Sequence, residues 1–127
     1  MIVNTHLKID NGLCGTVIAL EEGYAAVELE TTLQMAADEQ GLVHGGFIFG
    51  AADYAAMAAV NEPTVVLAES NCRFLAPSKA GDEIVFKAKC VERDGKKYQI
   101  TVNGYCGEKE IFTGLFKAVV TGKHVLG

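Results

Sequence analysis

The chain has no cysteines in C-x-x-C spacing, no excess of basic residues and no charge-free apolar run long enough for a membrane helix. Each absence removes a class of function. Cys14, Cys72, Cys90 and Cys106 are widely separated, so no zinc site is expected and the four read as small core residues of a protein in a reducing cytoplasm. With 11 Lys and Arg against 16 Asp and Glu the net charge is -5, whereas nucleic acid as the main partner would call for a basic face. The one long apolar run carries Asp53 and several glycines, which argues against a membrane span. The opening Met1-Ile2-Val3-Asn4-Thr5-His6 lacks the basic leader and apolar core of a secretory signal. No repeat, low-complexity stretch or linker divides the sequence. Residues 1–127 are therefore expected to form one domain, burying roughly two-thirds of its unfolded surface without disulfides. A mean hydropathy of +0.21 leans towards burial in an oligomer.

What is present is organised around Gly41 to Val60. From about His44 this run predicts a helix that is apolar nearly all the way round, the pattern of a helix enclosed in a core. Asp53 is its single charge. A carboxylate in apolar surroundings costs several kcal/mol unless it is paired, hydrogen-bonded or protonated. Gly45 and Gly46 open the same helix, where unpaired N–H groups carry the positive end of the helix dipole and glycine allows close approach to the backbone. One element thus offers donors for a developing negative charge and, two turns on, a carboxylate.

The flanking sequence reads as strands. Gly12–Leu20 and Tyr24–Thr31 form a hairpin around Glu21-Glu22-Gly23, and a polar loop, Asp38-Glu39-Gln40-Gly41, feeds the helix. Asn61-Glu62-Pro63 stops it. Thr64–Ala76 is expected to place Val66, Ala68, Ser70, Cys72 and Phe74 on the face that presses on the helix. Alternation continues through Ile84–Val91, beyond the Asp94-Gly95 turn at Tyr98–Asn103, and through Ile111–Val120. The order is two strands, one buried helix and a four-stranded meander, which predicts an α+β fold: a twisted antiparallel sheet of five to six strands around the helix. One sheet cannot cover the helix on all sides, and a second copy of the chain is the simplest cover.

Taken together, His44-Gly45-Gly46, Asp53 nine residues after the histidine, Asn71-Cys72-Arg73-Phe74-Leu75-Ala76-Pro77 and Gly81-Asp82 resemble the hotdog-fold acyl-CoA thioesterases, in particular the PaaI-like branch of the 4-hydroxybenzoyl-CoA thioesterase superfamily. The likeness runs from about Gly12 to Val120. It implies a homodimer with a continuous sheet, often paired again into a tetramer, and an acyl-CoA or related thioester bound at the dimer interface; no cofactor or metal is expected. It also implies that Gly46 N–H polarises the thioester carbonyl while Asp53 activates water or attacks directly, with His44, Gly45 and Arg73 on the substrate.

Spacing bears on this. Gly46 and Asp53 are separated by about 10 Å along a helix, too far for one carbonyl to touch both, so the donor of one chain must face the acid of another. Asp38 is a departure, because the PaaI-like pattern usually has asparagine six residues before the histidine. An ionised carboxylate only accepts hydrogen bonds. Near Asp53 it would raise at least one of the two pKa values; otherwise it is a solvated loop acid. A second departure is Leu67, where some relatives place a serine. The alternative to hydrolysis is a non-catalytic acyl-CoA binding or sensing protein on the same fold. A hydratase ranks lower, because it needs an Asp and a His close together and no histidine follows His44 until His124. His6 and His124, near the termini, have no partner evident in the sequence.

Overall fold

In the computed structural model, which describes residues 1–127, the six strands make one antiparallel sheet in the order β1-β2-β4-β5-β6-β3. They are β1 (Thr16–Glu21), β2 (Tyr24–Glu30), β3 (Val65–Phe74), β4 (Glu83–Asp94), β5 (Lys97–Cys106) and β6 (Lys109–Val120). A short helix α1 (Asn11–Cys14) precedes β1, and the central helix α2 (Gly45–Val60) lies between β2 and β3 in sequence. The chain leaves β2 at one side of the sheet, forms α2, and enters β3, which pairs with β6 at the opposite edge.

Alanine makes α2 compatible with this sheet. Ala51, Ala52, Ala55, Ala56, Ala58 and Ala59 are buried together with Tyr54 and Met57, and small side chains on several faces let the sheet close tightly around the helix. Its main supports are β2, β4 and β5. From these come Val27, Leu29, Ile84, Phe86, Ile100 and Val102, all fully buried and all on the alternating positions expected of half-buried strands. Phe86, Phe112 and Phe116 form the large-residue centre, with successive ring centroids 6.0 and 6.3 Å apart. Gly104 is required beside them, since a Cβ there would lie 2.8 Å from the Phe86 ring.

Two local expectations are corrected. Gly12–Gly15 is not strand. Asp10 accepts hydrogen bonds from the N–H groups of Gly12 and Leu13 at 2.9 and 3.2 Å and caps α1, and Gly15, at φ 91°, redirects the chain into β1. In β3 the inward face is not one continuous alternation. The pairing with β6 shifts between Leu67 and Glu69, so Val65 and Leu67 face the core before the shift while Cys72 does so after it. Val66 and Ala68 therefore do not belong to the face that presses on the helix.

Candidate functional site

The start of α2 is built by its own cap. His44 precedes the helix in an extended conformation, and its Nδ1 accepts the N–H of Gly46 at 2.8 Å. A Cβ at position 46 would sit 2.8 Å from that same nitrogen, so the cap depends on glycine. Backbone bonds from His44 N–H to Met35 O and from Val43 N–H to Ser78 O, both 2.9 Å, hold the approach to the helix. Asp38 organises the loop before it: Oδ1 accepts the N–H groups of Gln40 and Leu42 at 3.0 and 3.1 Å. Phe74, at the end of β3, lies against Gly45, 3.5 Å from where a Cβ would stand, and the exposed Arg73 beside it in the strand turns to the opposite face. His44, Gly45 and Gly46 thus form one end of α2 with the Asp38 loop leading into it, and no hydrogen bond or ion pair ties Arg73 to them.

Asp53 lies apart from them. Gly46, Gly50 and Asp53 follow one another at helical spacing, and a Cβ on Gly50 would meet nothing within 4 Å, so this stripe of α2 is open. The carboxyl oxygen Oδ1 of Asp53 is nevertheless buried and has no hydrogen-bond partner. Burial pushes the carboxyl up to about 6. Asp38 is not a cause of that shift within one chain.

Asp53 opens onto a cavity of about 360 Å³ whose walls include Leu67, Thr64, Thr5, His6 and His124. Both histidines without an evident partner in the sequence are therefore brought to the buried acid by the two chain termini. The N-terminal segment is clamped there by Asn61, the left-handed C-cap of α2, whose Oδ1 accepts Asn4 N–H at 2.7 Å and whose Nδ2 donates to Ile2 O at 2.9 Å. His124 Nδ1 accepts Leu126 N–H at 3.0 Å. No local motif could have shown this grouping, because it depends on where the fold returns both ends of the chain.

Sheet, central helix, glycine start and buried acid together define the hotdog fold. Residues 40–112, more than half the chain, match the thioesterase superfamily, and the chain belongs to that superfamily. It is 52% identical over 119 residues to a methylthioribose-1-phosphate isomerase of Aquifex aeolicus, a match covering 94% of this chain and 26% of that protein. To the transcription factor FapR of Caldanaerobacter subterraneus subsp. tengcongensis it is 31% identical over 103 residues, covering 80% of this chain and 52% of FapR. The chain thus spans between about a quarter and about half the length of these curated relatives.

Among solved structures, protein PH1136 of Pyrococcus horikoshii superposes with a TM-score of 0.99 at 51% identity, covering 100% of this chain and 98% of that one. The PaaI protein of the E. coli phenylacetic acid degradation operon gives 0.80 at 25% identity, covering 88% and 83%. The fold is also that of smu.793 of Streptococcus mutans, solved with acetyl CoA, at a TM-score of 0.81 and 23% identity over 94% and 99% of the two chains. No helix of the chain is long and apolar enough to cross a membrane.

Proposed function

We propose that the chain hydrolyses an acyl-CoA or related thioester at a site shared by two copies. One observation carries this: a buried carboxylate oxygen without a partner, Asp53 Oδ1, on the open stripe of a helix whose start presents the Gly46 N–H. The two groups are about 10 Å apart along α2 and cannot act on one carbonyl in cis. A second α2, antiparallel across a two-fold axis, would set Gly46 of one protomer against Asp53 of its partner. Two further features support such a dimer. The open Gly46-Gly50-Asp53 stripe gives the second helix room to approach. At the sheet edge, β3 pairs only with β6 and exposes Ala68–Asn71, an edge that a second β3 would cover. Pairing of such dimers into a tetramer follows from the same family likeness.

In the reaction, the thioester carbonyl takes the Gly46 N–H in place of His44 Nδ1. The exposed His44 ring is free to swing aside. The N–H and the helix dipole then stabilise negative charge on the carbonyl oxygen. Asp53 of the partner either removes a proton from water as its oxygen bonds to the carbonyl carbon or attacks that carbon itself. Direct attack expels the thiolate and leaves a mixed anhydride on Asp53, which water then hydrolyses, so both routes end with the C–S bond broken and a free acid and CoA thiol released. Arg73, exposed on β3, is the cation offered to the CoA phosphates. Asp38 Oδ1, bonded to its own loop, orders the entrance, and its other oxygen carries no hydrogen bond within the chain.

A second function is favoured by the FapR match, since that relative is named a transcription factor. On this alternative the chain binds an acyl-CoA without turning it over and reports its presence. A panel of short, long and aromatic acyl-CoA thioesters, with thiol release and equilibrium binding followed in parallel, separates the two. Hydrolysis of one acyl class is the expected result. Tight binding with no thiol release from any of them would establish the binding protein instead.

A further inference from the structure

We propose that His6 is the second proton carrier of the Asp53 cavity, passing the proton that Asp53 takes from water to the sulfur that leaves. This deepens the hydrolase proposal above and rests on it. His6 is not a loosely attached terminal residue. Its backbone has φ 55°, a left-handed conformation that histidine, with asparagine and aspartate, adopts more often than other residues that carry a Cβ. Nδ1 is within hydrogen-bond distance of Thr5 Oγ1 at 2.8 Å, and Thr5 is buried. The Tyr54 ring, from the residue after Asp53, lies 6.3 Å from the imidazole centroid. With Nδ1 engaged, Nε2 is the nitrogen left for proton exchange. The flanking Leu7 and Lys8 are exposed, so packing of the segment alone does not explain why the imidazole lines the cavity.

His6 and Asp53 form no direct ion pair; the chain's one salt bridge joins Lys117 to Glu69 on the sheet. The cavity that both line has the volume to hold bridging water, with Thr5, Thr64 and His124 as polar groups on its otherwise apolar wall. Burial lowers His6 and raises Asp53 to about 6, so the usual wide gap between a carboxyl and an imidazole narrows. Other titratable groups around the pair are His124 across the cavity, Cys14 of α1, whose thiol feels the Asp53 charge, and Tyr54.

The sequence of transfers balances. Asp53 accepts a proton from water while the water oxygen bonds to the thioester carbon. The carboxyl gives that proton through cavity water to neutral His6. The carbonyl then re-forms, the C–S electron pair goes to sulfur, and imidazolium protonates the thiolate. Asp53 returns ionised and His6 neutral, and the acid product ionises to solvent.

Glycine accepts the backbone conformation of position 6, so His6→Gly removes the imidazole without straining the chain. With the best-hydrolysed thioester of the panel, this variant should lose about 100-fold or more in kcat with KM within about threefold, and recover at least about tenfold on adding imidazole. Its pH profile should also lose the limb that His6 contributes. Activity within twofold of native, or a loss that imidazole does not restore with the pH profile unchanged, would overturn the proposal.

A readout independent of turnover separates it from the hydrolase assignment. In proton NMR titration of the full chain, His6 should titrate about half a unit or more lower in Asp53→Asn than in the native protein, because the carboxylate that favours imidazolium is gone. Identical His6 titrations in both would exclude coupling even if the chain hydrolyses thioesters. A shifted titration with no hydrolysis of any thioester would leave the pair intact and remove the hydrolase reaction, and with it the relay.

Discussion

Asp53→Asn is expected to abolish thioester turnover while making the chain more stable at pH 8. The side chain keeps its size and loses only its charge and basicity, so a carboxylate that activates water or attacks carbon should take about 1,000-fold or more of kcat with it, while ligand binding stays within a few-fold. Stability moves the other way because burial raises Asp53 from 3.8 to about 6. Between those pH values the folded chain holds a proton that the unfolded chain has released, so stability falls as pH rises, and the full cost is present above about 6. Asparagine does not ionise and avoids that cost. The variant should therefore gain about 2 to 3 kcal/mol at pH 8, and the gain should vanish near pH 4. Urea unfolding at the two pH values measures it. Equal stability of the two proteins at pH 8 would mean that the carboxylate is satisfied in solution and is not the poised acid described above.

Gly46→Pro is expected to cost about 100- to 1,000-fold in kcat with the helix intact. Proline deletes one atom that matters here, the amide hydrogen. In the first turn of a helix no intrahelical bond is lost with it, since those N–H groups have no partner within the helix. The ring of proline does displace His44, whose Nδ1 caps this N–H and would lie 2.8 Å from a new Cβ, but His44 is exposed and free to turn. Far-ultraviolet circular dichroism should be unchanged and thiol release nearly lost. Retained turnover would show that the carbonyl is polarised by some other group.

Much of the fold was legible because its determinants are periodic. Alternation in Ile84–Ala88 and Tyr98–Val102 placed the buried residues on the correct face, and the all-round apolar run of α2 announced a helix enclosed in the core. The failures have local chemical causes. Asp10 caps α1 in a stretch whose alternation imitates a strand. The register shift after Leu67 reverses the facing of the first part of β3.

At the site, the identity of Asp53 and of the glycine pair could be read directly, because a lone charge in an apolar helix and two glycines at its start are conspicuous. That His44 Nδ1 already holds the Gly46 N–H was not legible, since it depends on the rotamer of a capping side chain. The convergence of His6 and His124 on Asp53 was hidden for a different reason. It is set by the Asn61 clamp on the N-terminal segment and by the path of the chain after β6, neither of which has a periodic signature.

The measurement that bears most directly on the shared site is complementation between the two inactive variants. Asp53→Asn and Gly46→Pro chains are unfolded together, refolded at equal concentration and assayed for thiol release. If donor and acid come from different protomers, random pairing makes half of the dimers mixed. Each mixed dimer holds one complete site of two, and the mixture should recover about a quarter of native activity. Activity no greater than the sum of the two variants alone, from mixtures shown to contain mixed dimers, would contradict the shared site and place Gly46 and Asp53 in separate roles.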